Sequence, residues 1–176
     1  MEKRQMLKEF EIQFAGLKVG EHNFDFQIDR LFFDCIEYSD IEDGEFTVSL
    51  KMQKEASMLL LDFEINGDLI STCDRCLDPV RYPVELEEQL IVKFSDDDEQ
   101  SDDEHLYFIP TDEHTLNVSQ MIYELIRVCV PLTVTHEEGE CNQKMIEQLE
   151  RAKPQKEDDV DPRWNKLKEL INKENK

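Results

Sequence analysis

The chain has 176 residues, 39% of them hydrophobic and 35% charged, with a formal net charge of −22. That length suits one ordinary domain with appendages, and a charged share above the usual ~25% points to a modest core with long solvated segments. So acidic a surface repels nucleic-acid phosphates unless basic residues are gathered into a patch, and it favours basic partners. No apolar run is long enough to span a bilayer and no leader-like segment is present, so a cytoplasmic protein without a membrane partner is expected.

The first half has the period-two alternation of β-strands. Phe10, Ile12 and Phe14 suggest a strand near the start, and Phe24, Phe26 and Ile28 a second. From Glu45 to Met52 the alternation is clean, with Phe46, Val48, Leu50 and Met52 on one face. Leu59, Leu61, Phe63 and Ile65 repeat it, and Asn66-Gly67 offers either a hairpin turn or a bulge inside a longer strand. Leu69 to Thr72 leads into a cysteine pair. After Pro79 and Pro83, Leu86 to Phe94 predicts another strand.

Residues 95–104 hold seven acids in ten positions, which predicts a solvated, flexible loop. Leu106 to Ile109 returns to the sheet. Asn117 then predicts the start of a helix, with Gln120 placed for a capping box and Val118, Met121, Ile122, Leu125 and Cys129 on one apolar stripe. Pro131 ends it. A short polar helix is expected over 142–153, a linker over 154–161, and a basic amphipathic tail helix over 162–176. That tail carries net charge +3 and the sole tryptophan, Trp164. The expected architecture is α+β: one domain over 1–153, a twisted antiparallel sheet with a barrel-like curl, covered by one main helix and followed by the helical tail.

One constellation carries chemistry. Cys73 and Cys76 stand at C-x2-C spacing, and His136 and Cys141 form a looser pair 60 residues on. Two thiolates on a short loop can chelate one ion, and a second pair completes a tetrahedral structural zinc site. The alternatives are bare thiols in a tight turn and a thiol redox pair, although the helix that normally follows a redox C-x2-C has no capping signal here. Cys35 and Cys129 sit among apolar residues and are expected to pack as small hydrophobes. There is no Gly-rich phosphate loop and no nucleophile elbow, so neither an enzyme nor a small-molecule substrate is expected.

Four segments in order resemble one known family. They are FEIQFAGLKVG (Phe10 to Gly20), CDRCLDPV (Cys73 to Val80), VPLTVTHEEGEC (Val130 to Cys141) and DPRWNKLKEL (Asp161 to Leu170). Together they are similar to the YceD family of bacterial large ribosomal RNA subunit accumulation proteins. The resemblance implies a non-enzymatic role in synthesis, processing or stability of 23S ribosomal RNA. The implied partners are a ribosomal protein or large-subunit precursor, with the RNA touched directly or indirectly. Candidate contacts for RNA or partner are Arg75 and Arg81 beside the cysteine turn, and Arg163, Trp164, Lys166 and Lys168 in the tail. A second reading is an acidic chaperone for one basic ribosomal protein, without RNA contact. Some relatives carry a further cysteine-rich knuckle after the His/Cys-x4-Cys segment; this chain runs from Cys141 straight into Asn142-Gln143-Lys144.

Overall fold

The computed structural model describes residues 7–96, 103 and 105–152. Among them lie seven strands: β1 (Glu11–Ile12), β2 (Gly20–Ile28), β3 (Asp43–Lys54), β4 (Met58–Thr72), β5 (Pro79–Phe94), β6 (Leu106–Ile109) and β7 (Leu116–Asn117). The helices are α1 (Arg30–Cys35), α2 (Ser119–Cys129) and α3 (Gln143–Ala152). Strands β2 to β6 form one sheet in chain order, and β1 pairs with β7 in a small two-stranded sheet.

The alternating pattern decides which face is covered. Phe46, Val48, Leu50 and Met52 of β3 and Leu59, Leu61, Phe63 and Ile65 of β4 all point inward and are buried. Met121, Ile122 and Ile126 of α2 join them in one core. Phe10, Phe26, Phe32, Phe33 and Phe46 link the N-terminal segment, β2, α1 and β3, with neighbouring ring centroids 5.0–6.1 Å apart. The opposite face carries Asp25, Ser49, Glu64 and Glu87 in one cross-strand row.

The class is α+β, as the pattern predicts, but the sheet stays open instead of curling into a barrel. Nor is it wholly antiparallel: β6 runs parallel to β5. The connection from Phe94 to Leu106 explains this, since about a dozen residues are enough for a crossover that returns the chain alongside β5.

Three local expectations change. Phe10, Ile12 and Phe14 are all buried, yet only Glu11–Ile12 is strand; one-turn 3-10 segments at Leu7–Phe10 and Phe14–Gly16 flank it. Asn66-Gly67 is neither turn nor bulge, because β4 passes through it with Gly67 opposite Phe46 in unbroken register. A Cβ there would run into the Glu45 carbonyl oxygen and the Phe46 Cα, so β3 can approach only a glycine. Strand β5 begins at Pro79 and contains Pro83, on the stretch that β6 does not reach. There a missing N–H removes no bond to a second neighbour.

Helix α2 begins at Ser119, and its N-cap is Val118 rather than Asn117, which stands one residue earlier at the end of β7. The Asn117 side chain accepts from the Ser119 amide at 3.0 Å, while Gln120 donates forward to Glu124 at 2.9 Å instead of closing a capping box. Its C-cap is Val130, just before Pro131. Helix α1 has no counterpart in the pattern analysis, although Asp29 caps it by accepting from Leu31 and Phe32. Most of the acidic 95–104 loop, the linker over 154–161 and the tail over 162–176 lie outside the described residues.

Candidate metal centre

The hairpin between β4 and β5 carries the first cysteine pair. The Thr72–Pro79 pairing sets its base, the Cys73 amide donates to the Asp78 carbonyl at 2.9 Å, and the Leu77 amide donates to the Cys73 carbonyl at 2.9 Å. This tight path turns both thiols inward and puts Leu77 at φ 64°, a left-handed conformation that glycine adopts more readily. The segment after α2 is laced to the hairpin. Asp74 donates its amide to the Val134 carbonyl at 2.9 Å, and its carboxylate accepts from the Val134 amide at 2.7 Å. Gly139, at φ 91°, then lets the chain double back so that Cys141 faces His136.

The ligand atoms of Cys73, Cys76, His136 and Cys141 all lie within 4.8 Å of one another. Cys73 Sγ is 4.0 Å from Cys141 Sγ, Cys76 Sγ is 3.4 Å from His136 Nδ1, and Cys141 Sγ is 4.0 Å from the same nitrogen. A tetrahedral zinc ion with its usual Zn–S and Zn–N bonds would span edges of about 3.8 Å between sulfurs and about 3.6 Å from sulfur to nitrogen. The closest separations therefore already match, and the longest needs to contract by about 1 Å. On the far side of the ring, His136 Nε2 is 3.0 Å from the Pro79 carbonyl. A carbonyl can only accept, so Nε2 carries the hydrogen and a neutral ring presents its Nδ1 lone pair to the thiols, as outer-shell partners of metal-bound histidines do. Both the geometry and the donor set fit a structural zinc ion.

Electrostatics favour ligand ionisation unevenly. At Cys73 burial opposes the thiolate, but hydrogen bonds from the backbone of Cys76, His136 and Arg75 and from the His136 ring outweigh it and lower the thiol to about 6. His136 is raised, chiefly by its hydrogen bond to Cys73. Cys141 is raised by burial and then by its two cysteine neighbours. A divalent cation would settle this uneven set, by taking Cys73 and Cys141 as thiolates and the Nδ1 lone pair of His136.

The spacing pattern picked out all four cluster residues. It gave no sign of the Pro79 carbonyl or the Asp74 carboxylate, because a backbone acceptor and one acid among 42 leave no mark in a sequence. Among the candidate contact residues, Arg75 is exposed on the hairpin. Arg81 lies on the open face of the sheet, 3.0 Å from Glu45 and 3.5 Å from Asp68. Arg163, Trp164, Lys166 and Lys168 lie outside the described residues. Cys35 and Cys129 are half-buried, and burial raises the Cys129 thiol.

The family model described as large ribosomal RNA subunit accumulation protein YceD matches residues 61–171, which include the hairpin, the cluster and the Trp164 segment. The chain belongs to the YceD family. The Phe10 to Gly20 segment lies outside the matched span. A Bacillus subtilis (strain 168) protein described as uncharacterized, YlbN, is 25% identical over 122 residues, covering 66% of this chain and 69% of its own. No solved structure matches the chain. Membership of the YceD family supports a role in ribosome biogenesis. None of the described helices is long and apolar enough to cross a membrane.

Proposed function

We propose that the protein is a non-enzymatic assembly factor for the large ribosomal subunit, supporting synthesis, processing or stability of 23S ribosomal RNA by binding a basic ribosomal protein or an assembly intermediate. The observation that carries this reading is the YceD match across the segment that holds the four-residue cluster. The cluster acts as a clip. Four protein ligands leave a zinc ion no open position for a substrate, so its work is to pin the segment after α2 against the β4–β5 hairpin and to fix Arg75 at the tip.

The open face of the sheet supports a basic partner. It forms a shallow groove of about 700 Å³ whose lining includes Asp25, Asp62, Glu64 and Glu87. With a net charge of −22, the domain would speed encounter with a cationic protein and hinder direct contact with RNA phosphates. RNA contact, in this reading, is confined to Arg75, Arg81 and the basic residues Arg163, Lys166 and Lys168. Crosslinking in growing cells, followed by identification of both protein and RNA adducts, tests it. Large-subunit proteins or 23S fragments are the expected adducts, and capture of neither contradicts the proposal. A ribosomal protein that remains bound after nuclease treatment, with no RNA adduct, favours the chaperone version.

A further inference from the structure

A second cavity lies on the core side of the sheet, where α2 crosses β5 and β6. It encloses about 400 Å³ between Leu86 and Leu90 of β5 and Leu125 and Val128 of α2, and Glu88 and Glu124 also line it. Both carboxylates have neighbours that hold them in place. Glu88 is 3.2 Å from His105, and Glu124 accepts from Tyr107 at 2.9 Å. Val128 is 83% exposed, so the apolar lining continues to the surface. An apolar slot with carboxylates among its walls suits a large apolar side chain flanked by cations.

We infer that this groove receives the C-terminal segment of the same chain, with the Trp164 side chain seated between β5 and α2. The segment has the required chemistry. Trp164, Leu167 and Ile171 recur at helical spacing, and Arg163, Lys166 and Lys168 stand among them in a stretch of net charge +3. The segment can also reach. Asn142 is bonded to Asp78 at the hairpin, next to the start of α3, and Trp164 follows Ala152 by 12 residues. If α3 pointed straight away from the groove it would add about 15 Å. Leu86 lies about 23 Å along β5 from Pro79. Twelve extended residues span about 40 Å, which covers both. The family match runs to residue 171 and so takes in both the groove residues and this segment.

The chain's sole tryptophan reports directly on its own position. In the full-length protein, emission is expected well to the blue of the urea-unfolded chain, with acrylamide quenching severalfold weaker, at concentrations where light scattering gives a monomer. Val128→Glu changes an exposed side chain and should leave the fold intact by circular dichroism. It should return both signals to near the unfolded values, and Lys166→Glu with Lys168→Glu should do so in part. Native emission like that of the unfolded chain overturns the inference. Protection that survives Val128→Glu also overturns it, because the indole then lies elsewhere. Protection that appears only as the protein dimerises assigns the groove to a second copy, and protection only on adding a partner protein assigns it to that complex; either result overturns the intramolecular assignment.

Discussion

His136 and Pro79 meet across the hairpin base, with Nε2 of the ring 3.0 Å from the Pro79 carbonyl. That contact fixes which nitrogen faces the thiols, and it links the start of β5 to a residue 57 positions later. The ring orientation is therefore set by protein alone, before any ion binds.

The clip predicts one zinc per chain on metal analysis of the purified protein. A strong chelator, or Cys76→Ser, should lower the melting temperature by roughly 10 °C or more, taking several kcal/mol for a structural ion and about 2–4 °C per kcal/mol in a domain of this size. Calorimetry with and without chelator checks this. If Cys73→Ser with Cys76→Ser leaves melting unchanged but removes disulfide exchange, the pair is a redox site instead.

Acid should act differently on the metal-free and metal-loaded forms. Cys73 is lowered to about 6 in the fold, from ~8.5 in an unfolded chain, so its contribution is full above ~8.5 and is lost as pH falls through about 6. His136 is raised, so its contribution is full below ~6.5 and fades as pH climbs through its folded value. In the metal-free protein the two trends oppose each other above ~6.5 and flatten the profile, while below ~6.5 the Cys73 loss stands alone. The loaded protein should gain stability toward alkaline pH, because zinc binds thiolates and a neutral ring and competes with protons for both. Melting curves across pH, with and without zinc, separate the two profiles.

Much of this site was legible because metal ligation needs particular residue types at short spacing, and Cys73-Asp74-Arg75-Cys76 supplies them. The strands were legible for a similar reason: alternation such as Phe46, Val48, Leu50 and Met52 leaves few other structures for that segment. Where the pattern was silent, the deciding partner was distant in sequence. Asn66-Gly67 reads as a turn or a bulge because the constraint on Gly67 comes from the backbone of Glu45 and Phe46 on another strand. Helix α1 is six residues long, too short for periodicity to show, and only the Asp29 cap announces it. The parallel pairing of β6 depends on the path of a crossover, which composition does not encode.

Gly67 gives a sharp stability test. Gly67→Ala should cost about 2–3 kcal/mol, the upper range for forcing extra atoms into a packed site. Gly16→Ala, where a Cβ meets nothing within 4 Å, should stay within about 0.5 kcal/mol of the parent. Urea unfolding of the two variants makes the comparison.

Tyr107 should ionise late for a tyrosine. Burial, and then its hydrogen bond to Glu124 and that group's charge, push it up to about 12. A phenol raised in the fold favours the neutral form, so its contribution is full below ~10 and is lost as pH rises toward 12. Ultraviolet titration should show a late-ionising tyrosine, and Glu124→Gln should bring it part of the way down.

The central claim, a role in building the large subunit, is tested most directly by removing the gene and separating ribosomal subunits on a sucrose gradient while measuring 23S RNA. A fall in 23S RNA and in the ratio of large to small subunits is predicted, restored by the parent chain and less well by one carrying His136→Ala. A normal ratio with normal 23S RNA would contradict the account.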